Sequence, residues 1–345
     1  MEPSSFLTWP ARALWHVPGS FRLAALLGRH YGLRCVVFHD IADKSSPFTH
    51  GLSITLTPQA FEERIRFLAT HYTPVSLEAV LAVSKGATLP PRPVLVTFDD
   101  AYASVAEFGM PICRKYDVPA VFFVNAAFIG NQDLSLDNLL CYVANQIGIA
   151  PIQAAVREMA GQESAAIASV SQVIHDVVPH LSLDQRTQFQ VTLANRAGIR
   201  SRDLAFKANL YLTERQLRHL CNNQFDIGNH TYSHVRCRIL TGADFDREIG
   251  RNKHELERVS RQSVRAFSVP FGSRVDLTPQ VLGYLRESGH EAAFLVDSLA
   301  NTATTSRYGL YRVSMNSTTD AASFAELEVL PRLRAIREEL STSVP

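Results

Sequence analysis

The sequence predicts an α/β fold in which parallel strands alternate with helices. From residue 35 onward, short apolar runs rich in β-branched and aromatic residues are separated by longer amphipathic stretches, a pattern typical of parallel strands joined by helices. Several of the amphipathic stretches begin with a helix-capping residue. A chain of 345 residues has room for one α/β barrel and an additional element.

Seven segments have the length and composition of buried strands. Each is a short, predominantly apolar run, and seven such strands fit a small barrel. The candidate strands are residues 35–41, 94–98, 120–125, 225–227, 266–269, 292–296 and 311–315.

Helix starts are marked by capping residues ahead of apolar residues at helical spacing. A Ser or Thr side chain accepts a hydrogen bond from a free backbone N–H of the first turn, and proline is favoured at the first helical position. The predicted caps are Thr57 before Pro58, Ser182 with Gln185, Thr213 with Gln216, and Thr278 before Pro279, with Gly289 ending the last of these helices.

Residues 131–210 carry no strand signal, and Ala, Gln, Leu and Val recur there at helical spacing. We interpret this stretch as a helical insertion in a barrel that spans residues 35–345, and residues 1–34 as an N-terminal helical extension. Loops at the functional end of such barrels carry specificity. We therefore expect the insertion to border the mouth of the functional site and to select the substrate.

Composition excludes several classes of protein. Hydrophobic residues make up 46% of the chain and charged residues 19%, so a full core can form and wholesale disorder is excluded. The net charge of +1 gives no global field that would recruit nucleic acid, and no nucleic-acid partner is expected. No window reaches the uncharged apolar length of a membrane span.

Cysteine usage and the N-terminal residues indicate a cytoplasmic protein. The five cysteines are scattered and form no CxxC pair, so we interpret them as buried thiols in a reducing compartment. Prolines, arginines and a histidine interrupt the first 34 residues, so no signal peptide is expected. Two interpretations of this segment stay open: a peripheral anchor to a membrane or partner, or a segment packed on the barrel. The apolar residues concerned are Phe6, Trp9, Leu14, Trp15 and Leu23.

Two adjacent carboxylates follow the second candidate strand. In VLVTFDD, residues 94–100, an apolar strand ends at Asp99 and Asp100. Such a pair is usually a solvated turn or a helix cap. The carboxyl ends of parallel strands, however, are where side chains converge on ligands. One aspartate could then bind a metal ion while the other transfers protons.

Two histidines follow the fourth candidate strand in GNHTYSH, residues 228–234. His230 and His234 are four residues apart, so on a helical turn both rings lie on one face and can bind one cation. With Asp100 they form a set of two histidines and one carboxylate that leaves a position open for water. That pattern is typical of catalytic metal sites.

A third motif, FSVPFG at residues 267–272, follows the fifth candidate strand. Proline and glycine are equally expected in an ordinary loop. The functional interpretation is that backbone N–H groups of Pro270–Gly272, in which only Phe271 and Gly272 carry an N–H, face an oxyanion.

These motifs, TFDD, HTYSH and VPFG in this order, resemble the polysaccharide deacetylase family, also known as the NodB-homology domain or carbohydrate esterase family 4. Further similarity lies in VVFHDI, YTPVSLEAVL, RPVLVTFDDAY, VPAVFFV and LTERQLRHL. The resemblance covers about residues 35–130 and 210–316, and leaves the insertion and the first 34 residues outside it.

The resemblance implies a distorted (β/α)7-type barrel and metal-dependent removal of an acyl group, usually acetyl, from the nitrogen of an amino sugar. It implies that Asp99 is the general base. Asp100, His230 and His234 would bind one divalent ion, Zn²⁺ in preference to Co²⁺ or Ni²⁺. The backbone amide of Phe271, in the turn with Pro270 and Gly272, would help to bind the oxyanion.

The chain departs from the family pattern at two places. Ser268 and Phe271 stand where arginine and tyrosine are common, and the arginine normally orients the base; Arg312 is the candidate replacement. No histidine follows the last strands as a general acid. The chain most resembles the poly-N-acetylglucosamine deacetylase-like branch, in which Pro-Phe-Gly is usual and this histidine comes from the first strand. His39 fits that place, and we expect Asp40 or Asp43 to raise its pKa.

The sequence therefore indicates a metal-dependent N-deacetylase acting on an amino sugar of a polysaccharide, a glycolipid or a glycosylated intermediate. One alternative is a deacylase of another N-acyl sugar, for example N-formyl, or of a small-molecule amide. An alternative of another class is an inactive glycan-binding module. The remaining histidines outside the motifs, His175 among them, are interpreted as surface or packing residues.

Overall fold

The computed structural model describes residues 12–20, 32–160, 167–223, 225–297, 299–315 and 319–334. It contains ten strands within these residues. The strands are β1 (Arg34–Phe38), β2 (Asp40–Ile41), β3 (Thr55–Leu56), β4 (Thr73–Pro74), β5 (Pro93–Phe98), β6 (Ala120–Val124), β7 (Asp226–Asn229), β8 (Ala266–Ser268), β9 (Ala292–Val296) and β10 (Leu310–Ser314).

Seven parallel strands close into a barrel in the order β1, β5, β6, β7, β8, β9, β10. Closure occurs because β1 pairs with β5 on one side and with β10 on the other. Strand β4 adds to the outside of β5, and β2 and β3 form a separate parallel pair. The predicted (β/α)7-type barrel is confirmed.

Each of the seven predicted strand segments overlaps a barrel strand, with boundaries displaced by at most three residues. The largest difference is in residues 35–41, where the chain leaves the barrel at His39 and the next two residues pair with β3 instead. Every residue of β5 and β6 is buried, because the barrel interior covers one face and the helices cover the other. The three two-residue strands were not predicted, since so short a run has no detectable period.

Twelve α-helices are found in the described residues, joined by short 3₁₀ and π turns. They are α1 (Pro58–His71), α2 (Leu77–Ala82), α3 (Met110–Lys115), α4 (Leu136–Gln146), α5 (Ala150–Ala160), α6 (Val170–Gln172), α7 (Leu183–Arg196), α8 (Ser201–Ala208), α9 (Glu214–Asn222), α10 (Arg251–Ser260), α11 (Pro279–Glu287) and α12 (Asp320–Phe324).

The predicted helix caps are present. Thr57 accepts a hydrogen bond from the Ala60 N–H at 3.1 Å, and Thr278 caps α11 in the same way. Ser182 and Thr213 both form complete capping boxes. Gly289, just beyond α11, has the left-handed φ of 78° that favours glycine at this position.

Helices α4 to α8 make up the described part of residues 131–210, which confirms a helical insertion in the barrel. It leaves the barrel after β6, at the carboxyl end of that strand. Its apolar side chains, such as Leu139 and Phe189, form a cluster with Phe48, Tyr102 and Tyr211 from the barrel loops. The insertion is therefore packed against the functional end of the barrel.

Only part of the N-terminal extension lies within the described residues. There Trp15 packs against Phe67 and Phe324, with ring centroids 5.8 and 5.6 Å away. Of the two interpretations of this segment, packing on the barrel is the one that predicts this contact. Phe6, Trp9 and Leu23 lie outside the described residues. No described helix has the length and apolar character needed to cross a membrane.

Candidate active site

Side chains from two barrel strands meet at one point at the carboxyl end of the barrel. Asp100 follows β5, and His230 and His234 follow β7. The Nε2 atoms of both histidines lie 3.4 Å from Asp100 Oδ1, and one donor atom from each of the three residues lies within 4.8 Å of the others. The structure thus brings together the three predicted metal ligands.

Hydrogen bonds on the far side of each ring orient the two histidines. His230 Nδ1 lies 2.8 Å from the Ser268 carbonyl oxygen, and His234 Nδ1 lies 2.9 Å from Asp137 Oδ2. A carbonyl or carboxylate oxygen can only accept, so in both neutral rings Nδ1 carries the proton. The Nε2 lone pairs therefore both face Asp100.

This arrangement fits a divalent cation. Two nitrogen lone pairs and a carboxylate oxygen that face one another repel unless a positive charge lies between them. A tetrahedral zinc site with bonds of about 2.1 Å has edges of about 3.4 Å, which matches the two Nε2–Oδ1 separations. The donor set leaves one tetrahedral position open, as in catalytic sites.

Electrostatics at this point favour positive charge. Burial alone would raise the pKa of Asp100, but the neighbouring histidines, His234 first and then His230, outweigh it and hold that pKa well below its usual range. Burial likewise opposes protonation of His234, but Asp100 and Asp137 outweigh it and raise the pKa of His234. The carboxylates around the site therefore favour a cation.

Asp99 lies beside these residues in a buried ion pair with Arg312 of β10. Two guanidinium nitrogens donate to the two carboxylate oxygens, both at 2.7 Å. Ser268 donates to Asp99 Oδ2 at 3.1 Å and accepts from Arg312 at 2.6 Å. Burial raises the pKa of Asp99, but Arg312 and His230 outweigh it, so the pKa is lowered.

The small Ser268 side chain leaves the interior space that the guanidinium of Arg312 occupies. Arg312 is fully buried and also donates to Thr97 at 3.0 Å. Arg312, the candidate for orienting Asp99, thus contacts the Asp99 carboxylate directly.

The turn of Pro270, Phe271 and Gly272 brings one of its side chains to the site. Phe271 has a φ of 61°, and its ring centroid lies 4.7 Å from that of His234. Gly272 has a φ of 68°, and a Cβ there would lie 2.4 Å from the backbone N of Val296. A glycine is required at 272 for the turn to approach β9.

A cavity of about 410 Å³ opens over these residues, within the usual range for small-molecule sites. Its wall includes all four acidic and histidine side chains that follow β5 and β7, together with Phe271 and His39. Pro270 and Gly272 are buried, and the Gly272 N–H, predicted to face an oxyanion, instead donates to the Val269 carbonyl oxygen at 2.9 Å. All the predicted catalytic and ligand residues therefore share one cavity.

His39 lies on the cavity wall at the end of β1. Its ring forms no hydrogen bond with any other residue that the structure describes. Burial lowers the pKa of His39, while Asp100 and then Asp99 oppose this effect. The expectation that Asp40 or Asp43 would raise its pKa is wrong, because the Asp40 carboxylate accepts hydrogen bonds from Thr49, Thr55 and Ser104 instead.

The insertion forms part of the cavity wall. Its contributing residues are Ser135, Asp137, Asn138, Ser171, Ile174 and His175. The absence of a motif around His175 predicts a surface or packing residue. It is exposed, as that interpretation predicts, but it lies at the cavity rim.

Asp137 is the main site residue that sequence reasoning missed. It lies on α4 and contacts His234, which is 97 positions further along the chain. The available signal was a polar pair, Asp137 and Asn138, in an otherwise apolar stretch of the helix, where both side chains prove to be buried.

The structure is a closed parallel barrel with two histidines and two aspartates at the carboxyl ends of its strands, and three of these residues could hold a metal ion. This combination places the chain in the class of α/β barrels with a candidate metal site. Residues 86–293, more than half of the chain, match the family model for polysaccharide deacetylase. The chain belongs to the polysaccharide deacetylase family.

Among curated relatives, the chain is similar to the poly-β-1,6-N-acetyl-D-glucosamine N-deacetylase of Staphylococcus aureus. The two are 29% identical over 80 residues, which is 23% of this chain and 28% of the relative. The match thus spans less than a third of the relative's length.

Solved structures of low sequence identity share the fold. The Streptococcus pyogenes deacetylase PplD, in complex with acetate, superposes with a TM-score of 0.57 at 14% identity, over 87% of this chain and 99% of that one. A de-N-acetylase from Aggregatibacter actinomycetemcomitans superposes with a TM-score of 0.52 at 16% identity, over 85% and 99% of the two chains.

Proposed function

We propose that the protein is a metal-dependent hydrolase that removes an N-linked acetyl group from an amino sugar of a polysaccharide, a glycolipid or a glycosylated intermediate. The observation that carries this proposal is the convergence of Asp100, His230 and His234 beside the buried Asp99 in one cavity. Family membership and the N-deacetylase activity of the staphylococcal relative support the choice of substrate.

In this proposal Asp100, His230 and His234 hold one zinc ion. Two imidazole nitrogens and one carboxylate oxygen are typical zinc ligands, and Co²⁺ or Ni²⁺ would suit the same donors. When bound, the ion would polarise the acyl carbonyl and lower the pKa of a water molecule in the open position.

Asp99 acts as the general base that takes the proton from the attacking water. Among the described residues, Oδ2 accepts from Arg312 and Ser268 and Oδ1 accepts from Arg312, and Oδ2 lies 3.8 Å from His230 Nε2. A carboxylate has about four lone-pair sites, and the three hydrogen bonds from the described residues leave one of them for the incoming proton. Arg312 orients the carboxylate and keeps it ionised.

His39 donates the proton that the departing amine needs. An amide nitrogen is a poor leaving group, so the tetrahedral intermediate collapses only when an acid protonates the nitrogen. The ring of His39 is on the cavity wall and is not engaged by another described side chain. The backbone N–H of Phe271 completes the site by donating to the developing oxyanion.

The experiment that tests this function is a mass-spectrometric screen for released acyl groups. Zinc-loaded protein is offered N-acetylated and N-formylated amino sugars as free, polymeric, lipid-linked and nucleotide-linked compounds. Release of acetate is the expected result. Release of formate alone would favour the alternative N-formyl substrate, and zinc binding with no release from any compound would favour an inactive glycan-binding module.

Asp99→Asn is the matched variant for this screen because it keeps the size of the side chain. It should retain zinc and lose about 10²- to 10⁴-fold in turnover, the usual contribution of a general base. Near-normal turnover of Asp99→Asn would contradict the assigned role.

The acid role of His39 has its own signature. His39→Ala should lose turnover on amides far more than on an activated ester such as 4-nitrophenyl acetate, whose leaving group needs no proton. The control is His254→Ala on the exposed surface of α10, which should leave the ratio of the two activities unchanged. An equal loss on both substrates in His39→Ala would exclude an acid role.

We further propose that the insertion selects the substrate and that the protein is cytoplasmic. The insertion residues on the cavity wall support the first proposal. The second is supported by five unpaired cysteines, of which four are buried. Peripheral membrane association through residues 1–34 remains part of the proposal, and fractionation of cells producing the full chain and one lacking these residues would test it.

A further inference from the structure

We propose that Asp137, which the insertion supplies, is a positioning residue for the metal ligand His234. This inference rests on the metal centre of the proposed function and deepens it. The insertion would then be part of the metal centre as well as part of the substrate cavity.

The contact between Asp137 and His234 is direct and buried. Asp137 Oδ2 accepts a hydrogen bond from His234 Nδ1 at 2.9 Å, with the two side chains only 9% and 11% exposed. The other oxygen of Asp137 is buried and has no hydrogen-bond partner among the described residues. The contact with His234 is therefore the only described hydrogen bond that the Asp137 carboxylate forms.

A second residue of the insertion holds the backbone of the same histidine. Arg186 on α7 is 4% exposed and donates to the carbonyl oxygens of Ser233 and His234, both at 3.0 Å. His234 has a left-handed φ of 56°, a conformation that costs a non-glycine residue free energy and persists only when its surroundings enforce it. The insertion therefore fixes both the ring and the backbone of His234.

The other ligand histidine is oriented differently. His230 Nδ1 donates to the Ser268 carbonyl oxygen on β8, a strand of the barrel. The barrel thus orients one histidine and the insertion orients the other. A carboxylate on the second nitrogen of a metal-binding histidine fixes its tautomer and ring orientation, and its loss typically weakens metal affinity 10- to 100-fold.

The test is the zinc dissociation constant of the full chain, measured by competition with a chromophoric chelator. Asp137→Ala should weaken zinc binding by about 10- to 100-fold. Asp137→Asn should weaken it less, because the amide oxygen still accepts a hydrogen bond from Nδ1. The matched control is Asp184→Asn, the same change at an exposed aspartate of the insertion, which should leave the constant unchanged. Circular dichroism of the zinc-free proteins verifies that each is folded.

Two outcomes overturn the inference. Zinc affinity within twofold of wild type in Asp137→Asn and in a folded Asp137→Ala would show that the contact is structural only. Equal losses in both variants would assign the effect to the charge of Asp137 and not to its hydrogen bond. If the alanine variant does not fold, Asp137→Leu, which has a similar size but no acceptor oxygen, takes its place, and unchanged affinity in a folded Asp137→Leu refutes the inference.

The measurement separates this inference from the proposed function, since it requires no substrate. Wild-type protein that binds zinc but releases no acyl group would refute the proposed function and leave the role of Asp137 standing. Unchanged zinc affinity in the Asp137 variants, together with acetate release by wild type, would do the reverse.

Discussion

Replacing Arg312 by methionine should strongly destabilise the protein, because it leaves the Asp99 carboxylate buried without its counter-charge. Asp99 is 3% exposed and Arg312 is 0% exposed. Two charge-assisted hydrogen bonds join them at 2.7 Å, and such bonds contribute about 1.5–3 kcal/mol each. Removing one partner of a buried pair costs about 3–5 kcal/mol. Arg312→Met should lower the free energy of unfolding by this amount.

The assay is urea unfolding of metal-free protein, monitored by circular dichroism. Free energies of unfolding are compared between variants whose m-values agree. Adding Asp99→Asn to Arg312→Met removes the uncompensated charge and should restore at least about 1 kcal/mol. The control is Arg196→Met, which breaks an exposed ion pair with Glu158 and should cost at most about 1 kcal/mol.

A loss of less than about 1 kcal/mol in Arg312→Met would refute this reasoning. So would a double variant that is no more stable than the single one, because the cost would then not arise from the stranded carboxylate.

Two further predictions concern His290, which precedes β9, and Gly272, which follows β8. Burial lowers the pKa of His290 to about 3, so its contribution to stability is present above its unfolded pKa of about 6.5 and is lost as the pH falls toward 3. Between pH 7 and 4.5 wild type should lose roughly 2 kcal/mol more than His290→Gln in urea unfolding; equal losses would contradict burial of the neutral ring. Gly272→Ala should destabilise by more than about 1 kcal/mol, because its added Cβ meets Val296 at a φ of 68°. Gly283→Ala, where a Cβ meets nothing within 4 Å in α11, should instead raise the melting temperature; a similar fall in both variants would refute the steric argument.

The barrel was predictable because each barrel strand coincides with a local apolar run in the sequence. Residues 94–98 and 120–125 are apolar apart from Thr97 and Asn125, and the corresponding strands β5 and β6 are buried on both faces. Caps such as Thr57 were equally readable, since the capping residue and the N–H that it accepts from are three residues apart. Apolar runs and helix caps, which involve only a few consecutive residues, are therefore predictable from the sequence.

The convergence of the ligand set was also predictable, for a topological reason. His230 and His234 are four residues apart in the loop that follows β7, not on the helical turn that their spacing predicts, and Asp100 follows another parallel strand of the same barrel. The carboxyl ends of parallel strands lie at one end of a barrel, so the three residues had to approach one another. Their backbone conformations were not predictable, because nothing in the sequence marks Asp100, Thr231 and His234 as left-handed, with φ of 70°, 60° and 56°.

The contribution of the insertion could not be derived from local patterns. Asp137 and His234 are separated by 97 positions, and helical periodicity alone does not say which face of α4 meets the barrel. The path of Arg312 across the barrel depends likewise on the small side chain of Ser268, which lies two strands earlier in the chain. Such contacts follow from packing between elements and not from either element alone.

Anomalous diffraction at the zinc edge from crystals of zinc-loaded protein tests the central claim most directly. The account predicts one anomalous peak about 2.0–2.2 Å from Asp100 Oδ1, His230 Nε2 and His234 Nε2, with Asp137 still bound to His234 Nδ1. A peak elsewhere in a fully loaded protein, or none between these three atoms, would contradict the metal centre on which the proposed activity depends.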